Sequence, residues 1–144
     1  MGNRRILCCL VGLLVVWTAC RPMLHPVAYT PQPERIEHPD KTLAALILAN
    51  TVQGCVTNPG YTDGIFIVRF VCTSAAGNIV LRPDQIATIE LLESAPWYRV
   101  RVHHSRGAED FVWDSKSLDD AQHIADAIAA LASSAKQAPA SSPI

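Results

Sequence analysis

Few residues in this 144-residue chain are of types and spacings that could do chemistry, and the cysteines come first. There are five: Cys8, Cys9 and Cys20 fall in or at the end of an apolar leader, and Cys55 and Cys72 fall in the body. The arginines come next. Arg69, Arg99 and Arg101 lie in segments of strand-like alternation and could line one sheet face, where guanidinium forks would suit a phosphate or another anion. Glu90, in a neighbouring strand-like segment, offers the competing outcome of a cross-strand ion pair. His103 and His104 are consecutive, so in a strand they point to opposite faces and share no metal unless His123 or a carboxylate converges on one of them. His25 and His38 are too far apart to help. Catalysis needs a nucleophile with its base, paired carboxylates, or a metal with an open position. None is legible: Ser105-Arg106-Gly107 reads as a turn, and no motif surrounds Asp114 and Ser115. The reading is of a protein that is not an enzyme and holds neither metal nor cofactor.

The elements that must position these groups begin with the leader. Arg4 and Arg5 precede an apolar run over residues 6–17, which closes on Thr18-Ala19-Cys20. Charged, then apolar, then small is the order of a secretory signal, here residues 1–19. A membrane-spanning helix needs roughly 20 apolar residues, more than this run has. Residues 20–39 follow with Pro22, Pro26, Pro31, Pro33 and Pro39 and no apolar period, which predicts an extended tether rising roughly 3.1 Å per residue.

A single α+β domain is predicted over residues 40–132. Asp40 is the expected N-cap of a helix over residues 40–53, stopped by Gly54. Its apolar residues, Leu43 to Ala49, cover more than one face, so it packs on its own sheet or meets a partner. Asn58-Pro59-Gly60 and Asp63-Gly64 read as turns. Two-residue alternation then predicts an antiparallel meander of five strands, at 65–72, 77–81, 86–92, 97–104 and 109–113. Phe66, Val68, Phe70, Ile89, Leu91, Tyr98, Val100 and Val102 form the expected core face. Arg69, Thr88, Glu90, Arg99 and Arg101 fall on the other. Trp97 is read as a cover for the sheet edge and Trp113 as packing on the last helix. That helix, over residues 117–132, opens with a capping box of Ser117 and Asp120 and carries one apolar stripe through Leu118, Ala121, Ile124, Ala125, Ile128 and Leu131. Gln122, His123 and Asp126 are placed on its polar side, and residues 133–144 are expected to be a disordered tail.

The end of the leader resembles the lipobox of bacterial lipoproteins, in which a small residue, here Ala19, precedes a cysteine that is acylated and becomes the new N-terminus. The resemblance implies that Cys20 carries lipid and that the protein is held at a membrane of the cell envelope, facing the periplasm or the surface. Loss of Arg4 and Arg5 leaves 10 basic residues against 13 acidic, a net charge of −3 that gives no electrostatic case for nucleic acid. On the same reading Cys8 and Cys9 leave with the signal, and Cys55 and Cys72 remain in an oxidising compartment as one disulfide or as two buried thiols.

A curved meander closed by a helix also resembles the pleckstrin-homology-like fold, as a half-barrel. The residues that carry the likeness are 84–91, Trp97-Tyr98-Arg99-Val100-Arg101-Val102, Phe111-Val112-Trp113, and 117–122 leading to 125–128. The expected function is that of a lipid-anchored module binding an envelope protein, a peptide or a second copy of itself. The alternatives are binding of a small anionic ligand or lipid headgroup, as some domains of that fold do, and an envelope-structural role without a discrete ligand.

Overall fold

The computed structural model describes residues 23–138. The segment expected to be a signal, Cys20 with its expected acylation, and residues 139–144 lie outside the described residues. The class is α+β, with two α-helices and two antiparallel sheets among the described residues.

A two-residue strand β1 (His25–Pro26) opens the described chain, and a turn at Pro33–Arg35 leads to helix α1 (Pro39–Ala49). Strands β2 (Cys55–Thr62), β3 (Ile65–Cys72) and β4 (Ala76–Leu81) form one sheet in chain order. Strands β5 (Ile86–Ser94), β6 (Trp97–His104) and β7 (Phe111–Ser115) form the other, with β1 added along β5, and helix α2 (Leu118–Gln137) ends the fold.

The predicted single meander is therefore corrected to two sheets. The break falls at residues 82–85, where a 3-10 turn at Pro83–Gln85 redirects the chain so that β4 and β5 do not pair.

The turn expected at Asn58-Pro59-Gly60 is also corrected, since these residues lie inside β2. β2 is an edge strand, and its hairpin to β3 turns on Asp63 and Gly64, whose φ angles of 53° and 76° match a two-residue primed turn. Counting back from the Thr62–Ile65 pair puts Pro59 at a position that does not bond to β3. Its missing N–H therefore faces outward and costs no ladder bond.

α1 starts one residue earlier than expected, with His38 at the N-cap and Pro39 at the first helical position, and it ends at Ala49. Asp40 is thus inside the helix. Leu43 and Ile47 are fully buried against α2, whereas Leu48 is left exposed. α2 begins where expected, with Ser117 Oγ accepting from the Asp120 N–H at 3.2 Å. It continues to Gln137, so Ser133 to Gln137 are helical where disorder was expected. Phe66, Val68, Val100, Val102 and Phe111 from the two sheets meet Ile124 and Ile128 of α2 in one core.

The proline-rich segment is packed from His25 onward, which corrects the reading of a free spacer. His25 and Pro26 pair with Glu93 and Leu92, and Val27 N donates to Leu91 O at 2.8 Å. Val27, Tyr29 and Ile36 pack on the core. Asp126, placed on the polar side of α2 from sequence, is instead 2% exposed and holds this strap down. Its Oδ1 accepts from Tyr29 Oη and from Gln32 N, each at 2.7 Å. Burial, and then the Asp126 carboxylate, push the Tyr29 phenol up to about 12.

Candidate functional site

The two sheets approach each other along β4 and β7, each the last strand of its sheet, without pairing. Near the Cys55–Cys72 end this seam holds an apolar cleft of about 210 Å³. β3 and β4 contribute Phe70 and Ile79, β7 contributes Val112, Trp113 and Asp114, and the chain leaving α1 contributes Asn50, Thr51 and Val52. Trp113 packs on the core, and its Nε1 is buried without a hydrogen-bond partner.

Several bonds brace the surroundings of the cleft. Cys55 and Cys72 are directly opposite in the β2–β3 ladder and are joined by a disulfide lining the cleft. Thr51 Oγ1 and Thr57 Oγ1 are 2.7 Å apart. Ser115 Oγ donates to Asn50 Oδ1 at 2.7 Å, and Asn50 Nδ2 donates to Asp120 Oδ2 at 3.0 Å. That chain of bonds ties the end of α1, the end of β7 and the start of α2 together on one side of the cleft.

The structure does not bring the three arginines together. Arg69 is exposed in β3, opposite Asn58 and Asn78. Arg99 belongs to the other sheet and forms a fork on Asp114, with Nε to Oδ1 at 2.7 Å and Nη2 to Oδ2 at 2.8 Å. That hydrogen-bonded pairing holds the Arg99 pKa above its ordinary value. Arg101 lies opposite Glu90 and Val112. The candidate anion site Arg69, Arg99, Arg101 is corrected for this reason: its members are on two sheets, and one is already engaged.

The histidines separate as consecutive strand residues must. His104 faces inward: its Nε2 accepts from Arg82 N at 3.1 Å, so its proton sits on Nδ1, which donates to Glu109 O at 2.8 Å. His103 faces outward between two carboxylates, Glu90 at 3.1 Å and Asp110 at 2.9 Å. It is Glu90's partner in place of the arginine expected from sequence. His123 bonds back to Asp119 O of its own helix. Among the described residues no His, Cys, Asp and Glu side chains group to hold a metal, and no helix is long and apolar enough to cross a membrane.

Hydrogen bonds to Glu90 and then to Asp110 raise the His103 pKa. The sign follows from the raised value: the cluster's contribution is complete below the unfolded histidine value of roughly 6.5 and is lost as pH rises through the higher folded value. The difference in urea midpoint between wild type and His103→Gln is therefore expected to be larger at acidic than at alkaline pH. It should be small throughout, because the cluster is solvated. Equal differences at both pH values would remove the linkage.

The cleft itself was not anticipated from sequence. Trp113 was visible as an aromatic strand residue, but Phe70 and Ile79 meet it only because the sheet divides. The chain matches no protein-family model, no curated protein and no solved structure.

Proposed function

We propose that the protein is an exported, lipid-attached module of the cell envelope that binds a protein or peptide segment at the seam between β4 and β7. The observation that carries this reading is the cleft. At about 210 Å³ it is below the roughly 300–1,000 Å³ of drug-sized ligand pockets, but it suits one large apolar side chain. β7 is a sheet edge, so an extended segment laid beside it finds free backbone groups while its side chain enters the hollow. The Cys55–Cys72 disulfide supports an oxidising compartment, and the Thr18-Ala19-Cys20 sequence supports acylation at Cys20. The division into two sheets with a C-terminal helix across them supports a distant likeness to the pleckstrin-homology-like class, as an open rather than closed barrel.

Selection of random displayed peptides on the purified protein tests the binding site. Enriched segments are expected to share one large apolar residue, and Ile79→Trp, which fills the hollow, should weaken them about tenfold, or ~1.4 kcal/mol. Peptides indifferent to Ile79→Trp would remove the cleft from the account. Labelling with radioactive palmitate tests the anchor. Wild type should take up label and Cys20→Ser should not.

A further inference from the structure

We propose that the disulfide end of the domain lies directly on the bilayer, which covers the apolar patch there. The inference deepens the reading above and rests on lipid attachment at Cys20.

The first observation is where the exposed apolar side chains are. Among the described residues the exposed large apolar side chains are Met23, Leu48, Val52, Val56, Tyr61 and Val71. Tyr61 belongs to the β2–β3 hairpin end, opposite the disulfide. The others gather at the disulfide end. Val56 and Val71 are a cross-strand pair adjacent to Cys55–Cys72. Leu48 is in the last turn of α1, and Val52 follows it into a depression shared with Ala95 and Trp97. The antiparallel register of His25 with Glu93 carries the chain N-terminal to β1 alongside the β5–β6 turn at Ala95 and Pro96, which brings Met23 to the same end.

The second observation is chain length. Cys20 precedes His25 by five residues, and His25 is already paired in the sheet. Even fully extended, five residues reach no more than about 18 Å, less than the roughly 30 Å width of a small domain. An acylated Cys20 therefore leaves no spacer long enough for the domain to stand away from the membrane or turn its far end to it. The end where the chain enters must face the lipid, and that is the end carrying the patch.

The third is side-chain type. Trp97 is half-buried at this end, and the Lys116 ammonium sits over its ring, 4.9 Å from the centroid. An indole beside a lysine is the pairing favoured at headgroup depth, where the ring lies in the interface and the ammonium meets anionic phosphate. Of the acids nearby, Asp114 is held by Arg99 and Asp120 by Asn50, while Glu93 and the exposed Asp119, 3.4 Å from His123, remain as charges of opposite sign.

The test uses the full chain purified from native membranes and reconstituted in phosphatidylethanolamine and phosphatidylglycerol vesicles with brominated acyl chains. Bromine near the headgroups is expected to quench about half of the tryptophan emission that Trp97→Phe removes, while the emission that Trp113→Phe removes is spared. Lys116→Glu should reduce that quenching in anionic vesicles and not in zwitterionic ones. Palmitate labelling of the same preparation separates the two readings. Label without Trp97 quenching overturns the docking and leaves the anchor, whereas quenching without label supports the docking and overturns the anchor. Neither signal overturns both. A photocrosslinker at position 56, which belongs to the patch but not to the cleft, that captures a protein in native membranes with no lipid adduct would also overturn the docking, because a protein then covers this face.

Discussion

Asp126→Ala is expected to lower stability by about 3 kcal/mol, since it removes a charged acceptor that carries two bonds each worth roughly 1.5–3 kcal/mol. The two donors, Tyr29 Oη and Gln32 N, reach the same oxygen at 2.7 Å, and the carboxylate is 2% exposed, so water does not readily replace it. The loss should be local before it is global. Release of the strap over residues 25–36 should make the exposed Arg35 a trypsin site at denaturant concentrations where wild type is still resistant. Asp126→Asn keeps a carbonyl acceptor at the same place and should recover most of the stability. If Asp126→Ala left both the urea midpoint and Arg35 cleavage unchanged, the strap would not be held by this carboxylate.

Reduction of the Cys55–Cys72 bridge is the second large effect. The cysteines are 17 residues apart in sequence, and closing a loop of that length contributes about 3 kcal/mol in the chain-entropy model. The bridge ties the first residue of β2 to the last of β3, and both cysteines line the cleft. Reduced protein is therefore expected to show a lower urea midpoint and also weaker peptide binding. Cys55→Ala combined with Cys72→Ala should reproduce both effects without reductant. An unchanged midpoint would mean that the β2–β3 hairpin is held by its ladder alone.

What could be read from the residues divides along physical lines. α2 was legible because its cap and its apolar stripe agree, and Ile124, Ala125, Ile128 and Leu131 are indeed buried. Phe66, Val68, Leu91, Val100 and Val102 are buried for the same kind of reason, the two-residue alternation of half-buried strands. β2 was hidden by Asn58-Pro59-Gly60, because the reading of proline as a turn residue does not know which strand will lie at an edge. The strap was hidden in the same way: prolines that look like a spacer also suit an extended segment making few ladder bonds.

Asp126 shows a different limit. Its partners come from 97 and 94 residues away, and nothing in the helical period says that a carboxylate will be met by them. A hint was present, since Ile124, Ala125, Ala127 and Ile128 surround it with apolar residues in sequence. The seam depends on the division at Pro83–Gln85, where a connection short enough for a hairpin folds into a 3-10 turn instead. From that turn follow both the separation of Arg69 from Arg99 and the meeting of Ile79 with Trp113.

The proposed function has the seam taking a segment of another protein at the membrane. Its test is a compact aliphatic diazirine residue at position 79, close to isoleucine in size so that the hollow stays open, activated in native membranes and followed by mass. One discrete adduct is expected, lost in the presence of a peptide selected on the cleft; an adduct of twice the chain's mass would identify the partner as a second copy. Recovery of monomer alone, from membranes in which the chain is folded and acylated, would contradict it.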